Sequence, residues 1–128
     1  MKQLRKALAG LRKFAFSLPG AYEEFPWGES VAKVNKKVFV FMGRAVTRER
    51  GLTFTVKLPV SGAEALQLPF AEPTGYSLGK SGWVTAKFMP GQPAPLELIL
   101  PWIEESYRAV APRKLVAQLE TAQVKDKS

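Results

Sequence analysis

From residue 21 to residue 58 the apolar residues fall into short runs of strand length, one after another, with turn residues between them. Leu52, Phe54, Val56 and Leu58 alternate with Thr53, Thr55 and Lys57. That two-residue period marks a strand with one buried face. Val38-Phe39-Val40-Phe41-Met42 is apolar at every position, as expected of a central strand partly covered on each side. Residues 31–34 and 37–42 flank Asn35-Lys36 and read as a tight hairpin, because asparagine tolerates positive φ. Residues 21–25 read as a first strand, and Pro26-Trp27-Gly28 turns the chain.

The period changes outside this block. Leu4, Leu8, Leu11, Ala15 and Leu18, with Phe14 beside them, recur every three or four residues and predict a helix over 2–18, stopped by Pro19-Gly20. Ser61 and Glu64 have the spacing of a capping box for a short helix. Residues 69–82 are rich in proline and glycine and read as a loop. Residues 83–88 read as the last strand, with Val84, Ala86 and Phe88 on one face and Trp83, Thr85 and Lys87 on the other. Ile99, Ile103, Tyr107 and Val110 predict a helix over 98–110, with Pro101 in its first turn, where no backbone donor is needed. Pro112 opens a short final helix carrying Leu115, Val116 and Leu119.

Strands in succession, with helices gathered at the ends, predict an α+β two-layer sandwich: one antiparallel sheet with helices packed on one face. The second face is then partly open and carries Thr53, Thr55, Lys57, Trp83, Thr85 and Lys87. The 128 residues suit one domain, expected over 1–120, with a polar tail over 121–128.

The chain has no cysteine and no histidine. Disulfides, thiolate metal sites, cysteine nucleophiles and Ser-His pairs are therefore excluded. Three catalytic patterns overlap in the 75–82 segment. Gly75-Tyr76-Ser77-Leu78-Gly79 has the form of a nucleophile elbow, which needs a histidine base and a strand–turn–helix. Gly79-Lys80-Ser81 resembles the end of a phosphate-binding loop, but the upstream glycine is one position too close and a strand follows. Ser77 and Lys80 have S-x-x-K spacing, which works when both share a helix face. A glycine-rich turn explains all three, so no catalytic residue is expected. Glu23-Glu24 and Glu104-Glu105 read as solvated surface pairs, since adjacent side chains diverge. No apolar run approaches membrane-spanning length. Arg12 and Lys13 interrupt any apolar leader. The expectation is a cytoplasmic protein with no cofactor, no metal and no membrane, the monomer being favoured.

The net charge of +8 favours polyanionic partners. Lys33, Lys36, Lys37, Arg44, Arg48, Arg50 and Lys57 cluster in the middle of the chain on expected hairpin turns and strand faces. Two basic wings, around Asn35-Lys36-Lys37 and around Arg44, Arg48 and Arg50, are candidates for phosphate contacts, extended by Lys80 and Lys87. DNA is the expected partner. The alternative is a non-catalytic ligand- or protein-binding site built on Trp27, Tyr76 and Trp83.

Three co-linear segments carry a family resemblance. They are Leu18-Pro19-Gly20-Ala21-Tyr22-Glu23-Glu24-Phe25-Pro26-Trp27-Gly28, Pro73-Thr74-Gly75-Tyr76-Ser77-Leu78-Gly79-Lys80-Ser81-Gly82-Trp83-Val84, and Trp102-Ile103-Glu104-Glu105-Ser106-Tyr107. Together they resemble the MmcQ/YjbR-like family over about residues 3–120. The resemblance implies a frataxin-like (CyaY-like) α+β fold and a DNA-binding label that rests on likeness to "double-wing" domains. It supplies no catalytic residues. The iron binding of frataxin needs clustered carboxylates, and residues 1–22 contain none.

Overall fold

The computed structural model describes residues 1–75 and 78–127, and of these the side chains of Trp27 and of residues 125–127 are left aside. Helix α1 (Lys2–Ser17) is followed by strands β1 (Tyr22–Glu24), β2 (Ser30–Val34), β3 (Lys37–Gly43) and β4 (Leu52–Lys57). Then come the single-turn helix α2 (Gly62–Ala65), β5 (Ala71–Pro73), β6 (Trp83–Phe88), α3 (Leu96–Val110) and α4 (Arg113–Lys127). The six strands form one sheet in the order β1-β2-β3-β4-β6-β5, antiparallel throughout. The fold is α+β, with helices packed against the sheet, as the succession of periods predicts.

One core joins the layers. Leu4, Ala7, Leu11 and Ala15 of α1 and Ile99, Trp102, Ile103 and Tyr107 of α3 are buried. They meet the covered sheet face, where Val40, Phe54, Val56, Val84 and Phe88 are at most 2% exposed. Excluding water from these side chains is the main stabilising force.

Several local expectations are corrected. Residues 69–82 are not all loop: Ala71, Glu72 and Pro73 pair with β6 as an edge strand, where a proline is tolerated because its missing donor would face no partner. Helix α3 starts at Leu96, so Pro101 lies inside it and not in its first turn. Both Pro101 and Glu97, whose carbonyl loses its donor, are exposed to water, which limits the cost. The capping box does not form. Ser61 makes no side-chain bond to its own helix. Instead Glu105 of α3 accepts from the Val60 and Ser61 N–H groups at 2.9 Å each and from the Ser61 hydroxyl at 2.6 Å. Helix α4 runs on to Lys127, well past the apolar residues that mark it.

Strand β3 holds the least expected feature. Against β2 its register shifts twice, between Ser30 and Val31 and between Ala32 and Lys33. Each bulge puts an extra β3 residue opposite the partner strand. Phe39 and Val40 are therefore both buried, and Phe41 turns to the open face opposite Val31 and Thr55. Ser106 of α3 sits where direct β3–β4 pairing ends. Its hydroxyl donates to the Phe39 carbonyl at 2.5 Å and accepts from the Lys57 N–H at 2.8 Å. Tyr107 packs edge-on against Phe39, at 5.3 Å between ring centres, and donates to the Pro19 carbonyl at 2.6 Å. Burial pushes the Tyr107 hydroxyl pKa up.

The candidate site on the open sheet face

Strand register decides which side chains share the open face. Phe41 lies opposite Thr55, Thr55 opposite Thr85, Lys57 opposite Trp83, and Thr53 opposite Lys87. Phe41 and Trp83 meet edge to face, with ring centres 5.4 Å apart. The threonines form a line from β4 across β6 to the residue that follows β5: Thr55 to Thr85 and Thr74 to Thr85 are each 2.9 Å between hydroxyls. Around this flat apolar and hydroxyl centre stand Lys33, Lys57 and Lys87.

At one end of the face the β3–β4 connection folds back on itself. Val46 is 6% exposed and anchors it in the core. Thr47 and Gly51 form an isolated bridge, with the Gly51 N–H donating to the Thr47 carbonyl at 2.8 Å and the Arg50 N–H to the Thr47 hydroxyl at 3.1 Å. Gly51 has φ +62°, and a Cβ there would lie 2.1 Å from the Phe88 carbonyl oxygen. Only glycine fits. This anchored turn presents Arg50, which with Arg44, Glu29, Phe41, Thr53 and Thr55 lines a concavity of about 380 Å³. Glu29 offsets Arg44, which leaves Arg50, two hydroxyls and an aromatic wall to suit a phosphate or other oxyanion attached to a planar or apolar body.

The candidate residues named above are thus sorted. Lys33 is on the open face and pairs with Glu24 at 3.2 Å. Arg44 lies 3.9 Å from Glu29. Arg50 lines the concavity, and Arg48 is exposed on the same turn without lining it. Lys87 is exposed on β6. Lys36 and Lys37 are exposed at the β2–β3 turn, where Asn35 and Lys36 have φ of 51° and 68°. Lys80 is exposed on the 3-10 turn Leu78–Ser81 that leads into β6. The two wings stand at opposite ends of β3, about 20 Å apart at ~3.3 Å per residue. Among the described residues, Lys36, Lys37, Arg48, Arg50, Lys57, Lys80 and Lys87 make no ion pair. Tyr76 and Ser77 lie outside the described residues, as does the side chain of Trp27. A strand and not a helix follows Gly79-Lys80-Ser81, so that segment has no helix N-terminus to cradle a phosphate.

Phe41 was not singled out from sequence, and Lys57 was named in the basic cluster and on the open face without being assigned to either wing. Lys57 was legible from the alternation of β4. Phe41 was hidden by the bulges, which reverse the parity of β3.

Neither glutamate pair is a free surface pair. Glu23 faces α1, accepting from Arg12 at 2.5 Å and from the Ser30 hydroxyl at 2.6 Å. The Arg12 hydrogen bond holds its carboxyl below the usual range, against an opposing push from burial. Glu104 binds Arg108, which also reaches Glu120 on α4. For Arg108, burial pulls the pKa down and the two glutamates more than offset it, leaving it raised. Among the described residues, no group of three or more metal-ligating side chains occurs and no helix is long and apolar enough to cross a membrane.

Fold and surface together define a small α+β domain with an uncovered, cation-bearing sheet face. The chain belongs to the YjbR family, whose model matches residues 16–109, from the end of α1 to the last turn of α3. No curated protein matches the chain.

Proposed function

We propose that this protein is a cytosolic, non-catalytic DNA-binding module that lays the nucleic-acid backbone across the open face of its sheet. The observation that carries this reading is the placement of unpaired cations around an aromatic and hydroxyl centre. Lys57 and Lys87 lie on the face itself, and Arg50 stands at one end in a concavity also lined by Glu29, Phe41, Thr53 and Thr55. Lys36 and Lys37 stand at the other end. The ~20 Å between the ends matches about six phosphates of one strand at ~3.4 Å each. Phe41 and Trp83 offer surfaces for base or sugar contact. The absence of histidine and cysteine supports a binding role over a catalytic one.

Fluorescence anisotropy with short duplex and single-stranded DNA at several salt concentrations tests this. Three or four phosphate contacts give a log–log salt slope of about −3 to −4 on duplex and about −2 to −3 on single strands. Absence of measurable binding, or binding with a slope near zero, would make the charge a solubility feature.

The same concavity favours a second reading, a small anionic ligand held by Arg44 and Arg50. Thermal stabilisation by a phosphorylated or carboxylated metabolite, without DNA binding, would select it.

A further inference from the structure

On the helix layer, away from the open face, a groove of about 380 Å³ runs between α2 and α3. Its floor is Trp102 and Ala65, and its walls are Leu68, Leu98 and Pro101. The surface around it is unusually apolar for this molecule. Leu98 is 39% exposed, and Val60 and Leu66, neighbours in sequence of the lining residues Ser61 and Ala65, are 84% and 40% exposed. They make up three of the six large hydrophobic side chains exposed on the described surface.

The rim has the opposite polarity to the rest of the protein. Glu64 and Glu97 line the groove, both are exposed, and neither enters an ion pair among the described residues. Glu105 adds a third negative charge, although its oxygens already hold the Val60–Ser61 turn. Pro101 has no N–H to give the Glu97 carbonyl four residues back, so an acceptor that helices normally consume is left beside the groove. Apart from the Ser61 hydroxyl, which is taken up by Glu105, the polar groups here accept hydrogen bonds or attract cations, and among the described residues nothing basic lines the groove.

We infer that the α2–α3 groove is a docking site for a short peptide segment of a partner protein that inserts an apolar side chain and flanks it with lysine or arginine. Charge complementarity selects the occupant. The net charge of +8 opposes cations at long range, but at contact the exposed carboxylates of Glu64 and Glu97 beside the apolar floor favour a cationic segment over an anionic one. An apolar floor with carboxylates at its edge fits a segment that presents an apolar side chain beside a cationic one. The surface is independent of the sheet face, and its role does not depend on nucleic-acid binding.

The test is a titration of the full chain with an acetylated, amidated peptide of lysine and leucine, followed by amide chemical shifts. Saturable shifts confined to residues 60–68 and 97–105 are expected. The double variant Glu64→Gln/Glu97→Gln, whose wild-type side chains enter no ion pair among the described residues, should keep its fold and lose affinity about tenfold. Leu98→Ser should weaken binding with the carboxylates intact. Equal binding of oligolysine, or of a peptide of glutamate and leucine, overturns the inference, as does the absence of saturable binding. Concentration-dependent shifts of the same amides in the protein alone also overturn it, assigning the groove to a second copy of the chain.

Discussion

The two faces of the sheet use polar side chains in opposite ways. Between the helices and the sheet the buried polar groups have structural partners. Ser106 bridges β3 and β4, Tyr107 holds the α1–β1 turn, Glu105 holds the turn before α2, and Glu23 ties β1 to α1 through Arg12. Among the described residues no buried side-chain polar atom lacks a partner. On the open side Lys57, Lys87 and Arg50 enter no ion pair among the described residues. Groups with partners inside the molecule specify the fold, because removing one leaves the other buried and unsatisfied. Groups without partners remain available to a ligand. The third segment of the family resemblance, which contains Glu105, Ser106 and Tyr107, therefore does architectural work, and binding falls to residues spread over β3, β4 and β6.

That contrast predicts that stability and binding separate by face. The largest effect is expected at the one position that serves both, Gly51, where any side chain meets the Phe88 carbonyl. Gly51→Ala should cost about 3 kcal/mol or more, lower Tm by ~10 °C and displace Arg50. A normal melting curve would show that the turn can move without penalty. Ser106→Ala comes next, at about 1–3 kcal/mol, with DNA affinity at a matched fraction folded unchanged. Altered affinity there would break the division between faces. Arg44→Ala with Arg50→Ala should do the reverse: unchanged Tm, affinity down about tenfold, and a duplex salt slope flatter by about 1.8.

Two smaller effects sharpen the comparison. The folded-state pKa of Glu23 is lowered, so its contribution is present at neutral pH and is lost as pH falls through that lowered value. Glu23→Gln should cost about 1 kcal/mol at neutral pH, and the gap from wild type should close on acidification. A gap independent of pH would mean that the carboxylate charge plays no part. Lys36→Gly relieves a left-handed residue at φ 68° and should stabilise the hairpin by ~0.5–1 kcal/mol. If it also weakens DNA binding, the strained lysine is retained for its charge.

Much of this was legible in advance. The alternation of Leu52 to Lys57 assigned Thr53, Thr55 and Lys57 to the outer face, where the register places them. The Asn35-Lys36 turn and the buried stripe of α1 followed from local chemistry. The edge strand β5 was not legible, because three residues ending in proline carry no period of their own and pair only when β6 is beside them. The expected role of Glu64 also failed. A capping partner three residues away was plausible, but Glu105, 44 residues on, offered two carboxylate oxygens to the same turn.

The sequence by itself determined the class of fold, the positions of most elements and the sign of the charge, because period, turn chemistry and composition act over a few neighbouring residues. The tertiary structure decided where that charge is unopposed. Two bulges in β3 turned Phe41 outward, strand order brought Lys57 and Trp83 into one pair, and the anchored turn at Gly51 aimed Arg50 over the same face. Those outcomes depend on contacts between residues far apart in the chain, and such contacts are settled only when the sheet and its helices pack together.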